Sequence, residues 1–350
     1  MDNAERTLCL PRKFGRVLIL ALILLFLTVL VIELGLRLAV RTGWLPDPGP
    51  GTNNADLNYK LPMLDQLVKN EGPIDCIFLG SSMTNDGVDP EVFSQHYLEL
   101  SGQKVTCFNF GIGWLTGEIA AGMGHILVER YHPAILIYGT SARDFSKEMG
   151  ARALKSDQWY QYMGGNWNLS GWLQEHSMMY REYLKLLRDL NSDNRQFVIK
   201  IRNNTTPYGH FLVHPFVTEL EPGYSIHEKA LVKKDFNGLT DLGKLNHQGV
   251  EIIVFELPVH EKFLPIYVND NLADYYTLFF DPAAEILTRY QVPFINTVTG
   301  GKFMAADDDW ADMKHLNQEG AIRLSSYLAE EIWQLQKSGQ ITWGVPNADH

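Results

Sequence analysis

The chain has 350 residues, of which 45% are hydrophobic and 20% charged, an ordinary globular composition sufficient for one large domain or two small ones. Its formal net charge of −11 argues against a nucleic-acid partner, because nonspecific affinity for nucleic acid comes mainly from Lys and Arg on phosphates. No CxxC motif or His/Cys cluster indicates zinc, and we expect no cofactor.

A basic N-terminus precedes a long apolar run. Residues 1–16 contain four basic side chains, and residues 17–40 are apolar enough and long enough to span a bilayer as a helix. We predict a cytoplasmic tail at 1–16 and a single transmembrane anchor at 17–40, with the rest of the chain outside the cytoplasm. A cleaved signal peptide is the alternative, although the run is long for one and no clear small-x-small cleavage site follows it.

Residues 41–71 are predicted to be a linker. The first part is rich in Pro, Gly and Asn, with Trp44 suited to the membrane interface, and Tyr59–Asn70 could form a short amphipathic helix.

Strands and helices then alternate through residues 72–337, followed by a tail at 338–350. Short apolar runs ending at Gly or Pro predict buried strands, and 3.6-residue periodicity predicts the helices between them. The pattern implies an α/β fold with a five-stranded parallel sheet. The predicted strands are 74–79, 105–110, 134–138, 250–256 and 292–295.

Two features of this region remain open. The alternation breaks at about 145–249, where an aromatic-rich insert is either a helical cap on the sheet edge or a lid that shapes an acceptor groove. Cys76 and Cys107 fall in predicted strands and are expected to be buried thiols, with a disulfide possible if the strands are neighbours.

Two stretches suggest chemistry. Gly80-Ser81-Ser82 follows a buried strand, where an α/β sheet presents side chains to a ligand crevice. Asp312-x-x-His315 can supply a base with its orienting carboxylate. We predict Ser82 as nucleophile, with Ser81 as the fallback, His315 as general base and Asp312 as its partner.

These motifs resemble those of the SGNH/GDSL esterase and acyltransferase family over roughly residues 72–337. The resemblance implies a flavodoxin-like three-layer sandwich and Gly111 as an oxyanion donor. Ser141 occupies the position of the family's third-motif Asn, which is missing here. His260 follows the fourth strand and either contacts substrate or is a turn residue without a catalytic role.

The anchor and these motifs together are similar to the plan of the alginate O-acetylation and teichoic-acid D-alanylation proteins. That similarity implies acyl transfer between an acylated donor and a cell-envelope glycan or lipid acceptor, beside a multi-spanning membrane acyltransferase. The alternatives are a plain carboxylesterase or lipase, a non-catalytic glycan-binding or assembly factor, and a metal-dependent hydrolase using the acidic run at 307–309.

Overall fold

The computed structural model describes residues 12–145, 152–212, 235–261, 264, 272–298, 303 and 305–343. Strands in this part are β1 (Cys76–Gly80), β2 (Cys107–Gly111), β3 (Ile135–Thr140), β4 (Glu251–Glu256) and β5 (Phe294–Ile295). Helices are α1 (Arg12–Arg41), α2 (Ala55–Glu71), α3 (Ser82–Gly87), α4 (Pro90–Ser101), α5 (Gly117–Tyr131), α6 (Arg152–Lys155), α7 (Gln158–Met163), α8 (Leu169–His176), α9 (Met178–Asp189), α10 (Ser192–Asn204), α11 (Asn237–Asn246), α12 (Leu272–Tyr275), α13 (Asp281–Arg289) and α14 (Gln318–Lys337).

The five strands form one parallel sheet in the order β2-β1-β3-β4-β5, which confirms the predicted α/β class. This is the strand order of flavodoxin-like folds, in which a ligand crevice lies at the carboxyl ends of the central strands. Successive residues of β1 point to opposite faces, so Ile77 packs in one core cluster and Phe78 in the other.

Local signals place several helix boundaries correctly. Asp89 caps the start of α4 by accepting hydrogen bonds from the Glu91 and Val92 amides, as the Asp-Pro pair predicts. Asn317 caps α14, whose buried face includes Leu324 and Leu328.

The predicted linker at 41–71 extends too far, because its second half is part of the folded domain. Helix α2 buries Leu57, Leu61 and Leu64 against the sheet. The predicted tail also begins too early: Trp343 is buried and its ring stacks on Tyr97 at 4.8 Å. The sequence predicts the helix within 59–70, but only the tertiary structure shows that this helix and Trp343 pack on the domain.

Cys76 and Cys107 form a disulfide, so the expectation of two free thiols is wrong. They are directly opposite in the β1–β2 register, with Cα atoms 4.6 Å apart. The bond depends on β2 pairing with β1, which the sequence pattern leaves undecided.

The described part of the insert consists of α6–α11 and a short turn. Trp159 on α7 is fully buried in the core, whereas Trp167 and Trp172 are exposed by 75% and 41%. The turn at 205–211 reaches back to the sheet, where the Asn109 amide donates to the Tyr208 carbonyl at 2.8 Å. The insert is therefore packed on the domain, and residues 146–151 and 213–234 of it lie outside the described part.

Helix α1 is long and apolar enough to cross a membrane, by length and composition. A signal sequence near an N-terminus passes the same test. In the described part of the chain it is the one helix that meets this criterion.

Candidate active site

Three glycines at the ends of neighbouring strands provide the seat for α3. A Cβ at Gly80 would lie 2.0 Å from Thr84 Oγ1, and one at Gly139 would lie 2.5 Å from the same atom. A Cβ at Gly111 would lie 2.4 Å from the Asn85 amide nitrogen. Side chains at these positions would push α3 away from the sheet, so the glycines allow its N-terminal residue to lie directly over the strand ends.

Ser82, His315 and Asp312 form a connected hydrogen-bonded chain. The Ser82 hydroxyl and His315 Nε2 are 2.9 Å apart, and His315 Nδ1 lies 2.7 Å from Asp312 Oδ2. Because Nδ1 faces a carboxylate, it carries a proton and leaves Nε2 as the acceptor for the serine hydroxyl. The structure thus brings together the three side chains predicted as nucleophile, base and orienting acid, across 233 residues of sequence.

The loop carrying this pair is held by its own backbone. The Asp312 carboxylate accepts the Lys314 and His315 amides at 2.9 and 2.8 Å, and the Ala311 amide donates to the His315 carbonyl at 2.8 Å. Burial would raise the pKa of Asp312, but its bonds to His315 and these amides lower it to about 2. Asp312 is therefore charged at any pH near neutrality and holds the imidazole in one orientation.

Ser81, the fallback nucleophile, has a different position. Its side chain is fully buried and caps α3 by accepting from the Met83 amide. Its neighbour Ser82 is partly exposed and faces His315. The geometry therefore selects Ser82.

A buried lysine braces α3 from behind. Lys60 on α2 is 1% exposed, and its ammonium donates to the Asn85 side chain and to the Asn109 carbonyl at 3.0 Å. Burial lowers the pKa of Lys60 to about 7, against the opposing influence of the Asp56 and Asp86 carboxylates. Asp56 also accepts the Gly113 amide at 2.8 Å, which ties the start of α2 to the loop after β2.

Asp86 adds a second carboxylate close to the histidine. It lies four residues after Ser82, and therefore near the same face of α3. Burial raises the pKa of Asp86 to about 6, while the nearby His315, Lys60 and His210 lower it. No described residue hydrogen-bonds to its carboxylate, so its negative charge above pH 6 acts on its surroundings through the local field.

Gly111 does not offer a free oxyanion donor. The Gly111 backbone N–H donates to Asn109 Oδ1 at 2.8 Å. The Asn109 side-chain NH2 group in turn donates to the Thr84 and Val88 carbonyls. The predicted role is therefore wrong for Gly111, whose missing side chain instead makes room for α3.

Among the described residues at this sheet edge, two groups can donate to a developing oxyanion. Ser82 is the first residue of α3, where helix geometry leaves the backbone N–H without an intrahelical acceptor. Ser141 is buried, and its hydroxyl has no hydrogen-bond partner in the described part of the chain. It lies two residues beyond Gly139, which pairs with Gly80 two residues before Ser82, so both serines are at the same sheet edge.

Positive charge lines the loop beside this edge. Arg143 is 7% exposed, lies 6.0 Å from the Trp114 ring centre and has no carboxylate partner among the described residues. Burial and the nearby Arg143 lower the pKa of Lys314, which immediately precedes His315. Trp114 has φ +66°, a left-handed conformation that is rare for a bulky residue, and its side chain is 67% exposed.

His260 lies beneath the catalytic loop. Its ring is 4% exposed, packs edge-on against Trp310 at 5.4 Å and lies 3.6 Å from the Asp307 carboxylate. The structure therefore places His260 as a support for the Asp312–His315 loop.

The acidic run has other partners. Asp309 forms an ion pair with Arg323 at 3.1 Å and accepts the Ala306 amide. Within the residues that the structure describes, no group of three or more His, Cys, Asp or Glu side chains could hold a metal ion.

Sequence reasoning missed Lys60, Asp86 and Trp114. The Ser82–Asp86 spacing was a usable signal, since residues four apart share a helix face. Lys60 had no such signal, because lysines are almost never fully buried. The left-handed position of Trp114 follows Gly-Ile-Gly and becomes visible only in the backbone.

No known family profile matches the sequence, and no curated protein matches it. Similar solved structures include a lipase/acylhydrolase from Enterococcus faecalis, with 13% identity, a TM-score of 0.38, and coverage of 74% of this chain and 95% of that one. A GDSL-like lipase from Bacteroides thetaiotaomicron has 10% identity, a TM-score of 0.35, and coverage of 79% and 97%. An acetyl xylan esterase from the rumen bacterium Butyrivibrio proteoclasticus has 8% identity, a TM-score of 0.29, and coverage of 77% and 65%. Structural similarities with TM-scores below 0.5 do not support a function for this chain. Its function is therefore inferred from its own sheet and site.

Proposed function

We propose that this protein is an SGNH-type serine esterase or acyltransferase that forms an acyl ester on Ser82. The observation that carries the proposal is the continuous chain from the Ser82 hydroxyl through His315 to Asp312, at 2.9 and 2.7 Å. The motifs at both ends of the domain resemble the SGNH/GDSL family, and their positions at the carboxyl edge of a parallel sheet fit such a site.

The proposed reaction has two steps. The Ser82 oxygen attacks an ester carbonyl while His315 Nε2 takes its proton, and the charged Asp312 stabilises the resulting imidazolium. The negative oxygen is stabilised by the Ser82 N–H and the Ser141 hydroxyl. His315 then protonates the departing alkoxide, which leaves as an alcohol and gives the Ser82 ester.

The second step regenerates the enzyme. Water or an acceptor hydroxyl gives its proton to His315 and attacks the Ser82 ester, and the proton returns to the serine oxygen as the acyl group leaves. Hydrolysis and transfer differ only in whether the attacking oxygen belongs to water or to an acceptor.

We further propose that the domain works outside the cytoplasm, held by α1 as a single-pass anchor with its N-terminus inside. Support comes from the four basic residues within 1–16, before the apolar run, and from the Cys76–Cys107 disulfide, since such bonds persist mainly in oxidising compartments. The substrates then are an acylated donor and a cell-envelope glycan or lipid, and a multi-spanning acyltransferase could supply the donor.

The short connection between anchor and site supports this choice of acceptor. Only residues 42–54 separate α1 from α2. Asn54 donates to the Gly113 carbonyl at 3.3 Å, in the loop that follows β2 at the catalytic edge. The catalytic edge is thus bonded to the short segment that follows the membrane helix, which supports an acceptor at the membrane surface.

A test uses the full-length protein with a small acyl ester and a serine-reactive fluorophosphonate. Ser82→Ala should lose labelling and about a thousandfold or more of the turnover, and His315→Ala should lose a similar factor in turnover. The double variant should be little worse than either single one, because the two side chains act as a unit.

Ser81→Ala is the matched control, and it should keep labelling while losing some stability through its α3 cap. Labelling that persists in Ser82→Ala and disappears in Ser81→Ala would show that Ser81, and not Ser82, is the nucleophile. Folded wild-type protein that neither reacts nor turns over ester would favour the non-catalytic binding alternative.

A further inference from the structure

Helix α1 is longer than a bilayer core. The apolar segment Phe14–Arg41 has 28 residues. At 1.5 Å per residue, a hydrocarbon core of about 30 Å takes up about 20 residues, so a core that begins at Val17, after the basic residues, ends near Leu36. Glu33 therefore lies within one turn of the outer boundary of the hydrocarbon core, and the residues after Leu36 extend α1 into the headgroup layer.

The start of α9 is attached at that depth. The Glu33 carboxylate accepts the Met178 and Met179 amides at 2.9 Å each and the Ser177 hydroxyl at 3.1 Å, so it caps α9. One turn further along α1, Arg37 donates to the His176 carbonyl. These contacts hold the insert against the outer end of the membrane helix.

The end of α9 and the following α10 expose an unusual amount of apolar surface. We call these six side chains the α9–α10 apolar face: Leu186 (63% exposed), Leu187 (48%), Leu190 (82%), Phe197 (52%), Val198 (39%) and Ile199 (51%). Contiguous apolar patches on a soluble domain mark a surface that contacts a membrane or another molecule. Trp172, on α8 beside His176, and Trp44, just after α1, are also exposed, as is common at a membrane interface.

A cavity of about 940 Å³ adjoins this face. It lies between the end of α1 and helices α2, α9 and α10, and Phe197 and Val198 are in its wall. Six basic and three acidic side chains line it, so its charge favours anions. The basic residues are Arg37, Arg41, Lys69, Lys185, Arg188 and Arg202.

We propose that the α9–α10 apolar face lies in the interfacial layer of the membrane and that the adjoining cavity holds anionic lipid headgroups. The inference rests on the proposed role of α1 as a membrane anchor. Continuity with α1 through Glu33 selects the lipid over other occupants, since the apolar face begins where the spanning helix leaves the hydrocarbon. Anionic lipids match the basic lining by charge.

The inference is tested with nitroxide labels on the full chain in lipid nanodiscs. In a Cys9→Ser background, with the disulfide intact, Leu190→Cys carries the label. Leu98→Cys on α4 is the matched control, an exposed leucine (41%) on a helix that packs against α14. Collision with oxygen reports lipid exposure, and collision with a nickel chelate reports water exposure. The Leu190 label should be oxygen-accessible and protected from nickel, and the Leu98 label should show the reverse.

The headgroup preference is tested with the same labels. Replacing part of a phosphatidylcholine bilayer by phosphatidylglycerol should protect the Leu190 label further from nickel. Arg41→Gln with Lys69→Gln should abolish that dependence while the label stays lipid-exposed. A dependence unchanged in that variant would remove the cavity from the proposal.

Two results would overturn the membrane face. Nickel exposure at Leu190 equal to that at Leu98 would leave the face in water. Dipolar coupling between two Leu190 labels, together with doubled mass, would assign the face to a second copy of the chain. Neither readout uses the Ser82 chemistry, so turnover of a small ester by the same samples tests the proposed function separately.

Discussion

Lys60 gives the sharpest prediction that the structure allows, because it is a fully buried ammonium beside the nucleophile helix. Its pKa is lowered from 10.5 to about 7, mainly by burial. Between these two values the unfolded chain holds one more proton at this position than the folded chain. The free energy of unfolding should therefore increase as the pH is raised through this window and decrease as the pH is lowered towards the folded pKa.

The size of the effect follows from the two pKa values. The slope approaches about 1.4 kcal/mol per pH unit where the folded lysine is neutral and the unfolded one charged. At pH 7 the folded lysine is half protonated, so the gain from pH 7 to pH 9 is about 2 kcal/mol. Lys60→Met removes this term, although it leaves the Asn85 side chain and the Asn109 carbonyl without their donor.

The assay is urea unfolding of the full chain in detergent micelles, followed by tryptophan fluorescence at pH 7, 8 and 9. The difference in unfolding free energy between wild type and Lys60→Met should change by about 2 kcal/mol across the series, in favour of wild type at high pH. Lys69→Met, at an exposed position on the same helix, should show a difference that does not vary with pH. Parallel curves for wild type and Lys60→Met would refute the argument, because they would mean that the lysine is equally protonated in both states.

Two further experiments address the charge near the base and the compartment. Asp86→Asn should lower kcat/KM for a small ester about tenfold at pH 8 and very little at pH 5, because a residue with a pKa of about 6 is already protonated there in wild type. A ratio that is constant from pH 5 to 8 would show that the Asp86 charge does not assist His315. When cells are lysed in denaturant without reductant, an added maleimide should modify only Cys9. After reduction, it should modify all three cysteines. Modification of Cys76 and Cys107 without reductant would contradict an extracytoplasmic domain.

Local patterns determined much of this protein before any tertiary contact was known. Apolar runs ending at Gly80 and Gly139 predicted buried strands, because burial on both faces needs continuous apolar residues. The Asp89-Pro90 pair predicted a helix start, because a capping side chain acts on amides only a few residues away. The Ser-Ser turn and the Asp-x-x-His segment were likewise recognisable from short spacings.

Contacts between distant segments were decided only by the tertiary structure. The contact of Ser82 with His315 required the two ends of the domain to meet, and the disulfide required β2 to pair with β1. The burial of Lys60 depends on α2 packing behind α3. The Gly111 N–H is occupied because the Asn109 side chain accepts its hydrogen bond. Spacing along the chain reports neighbours within a turn of helix or a strand, whereas these contacts depend on the order in which the strands assemble.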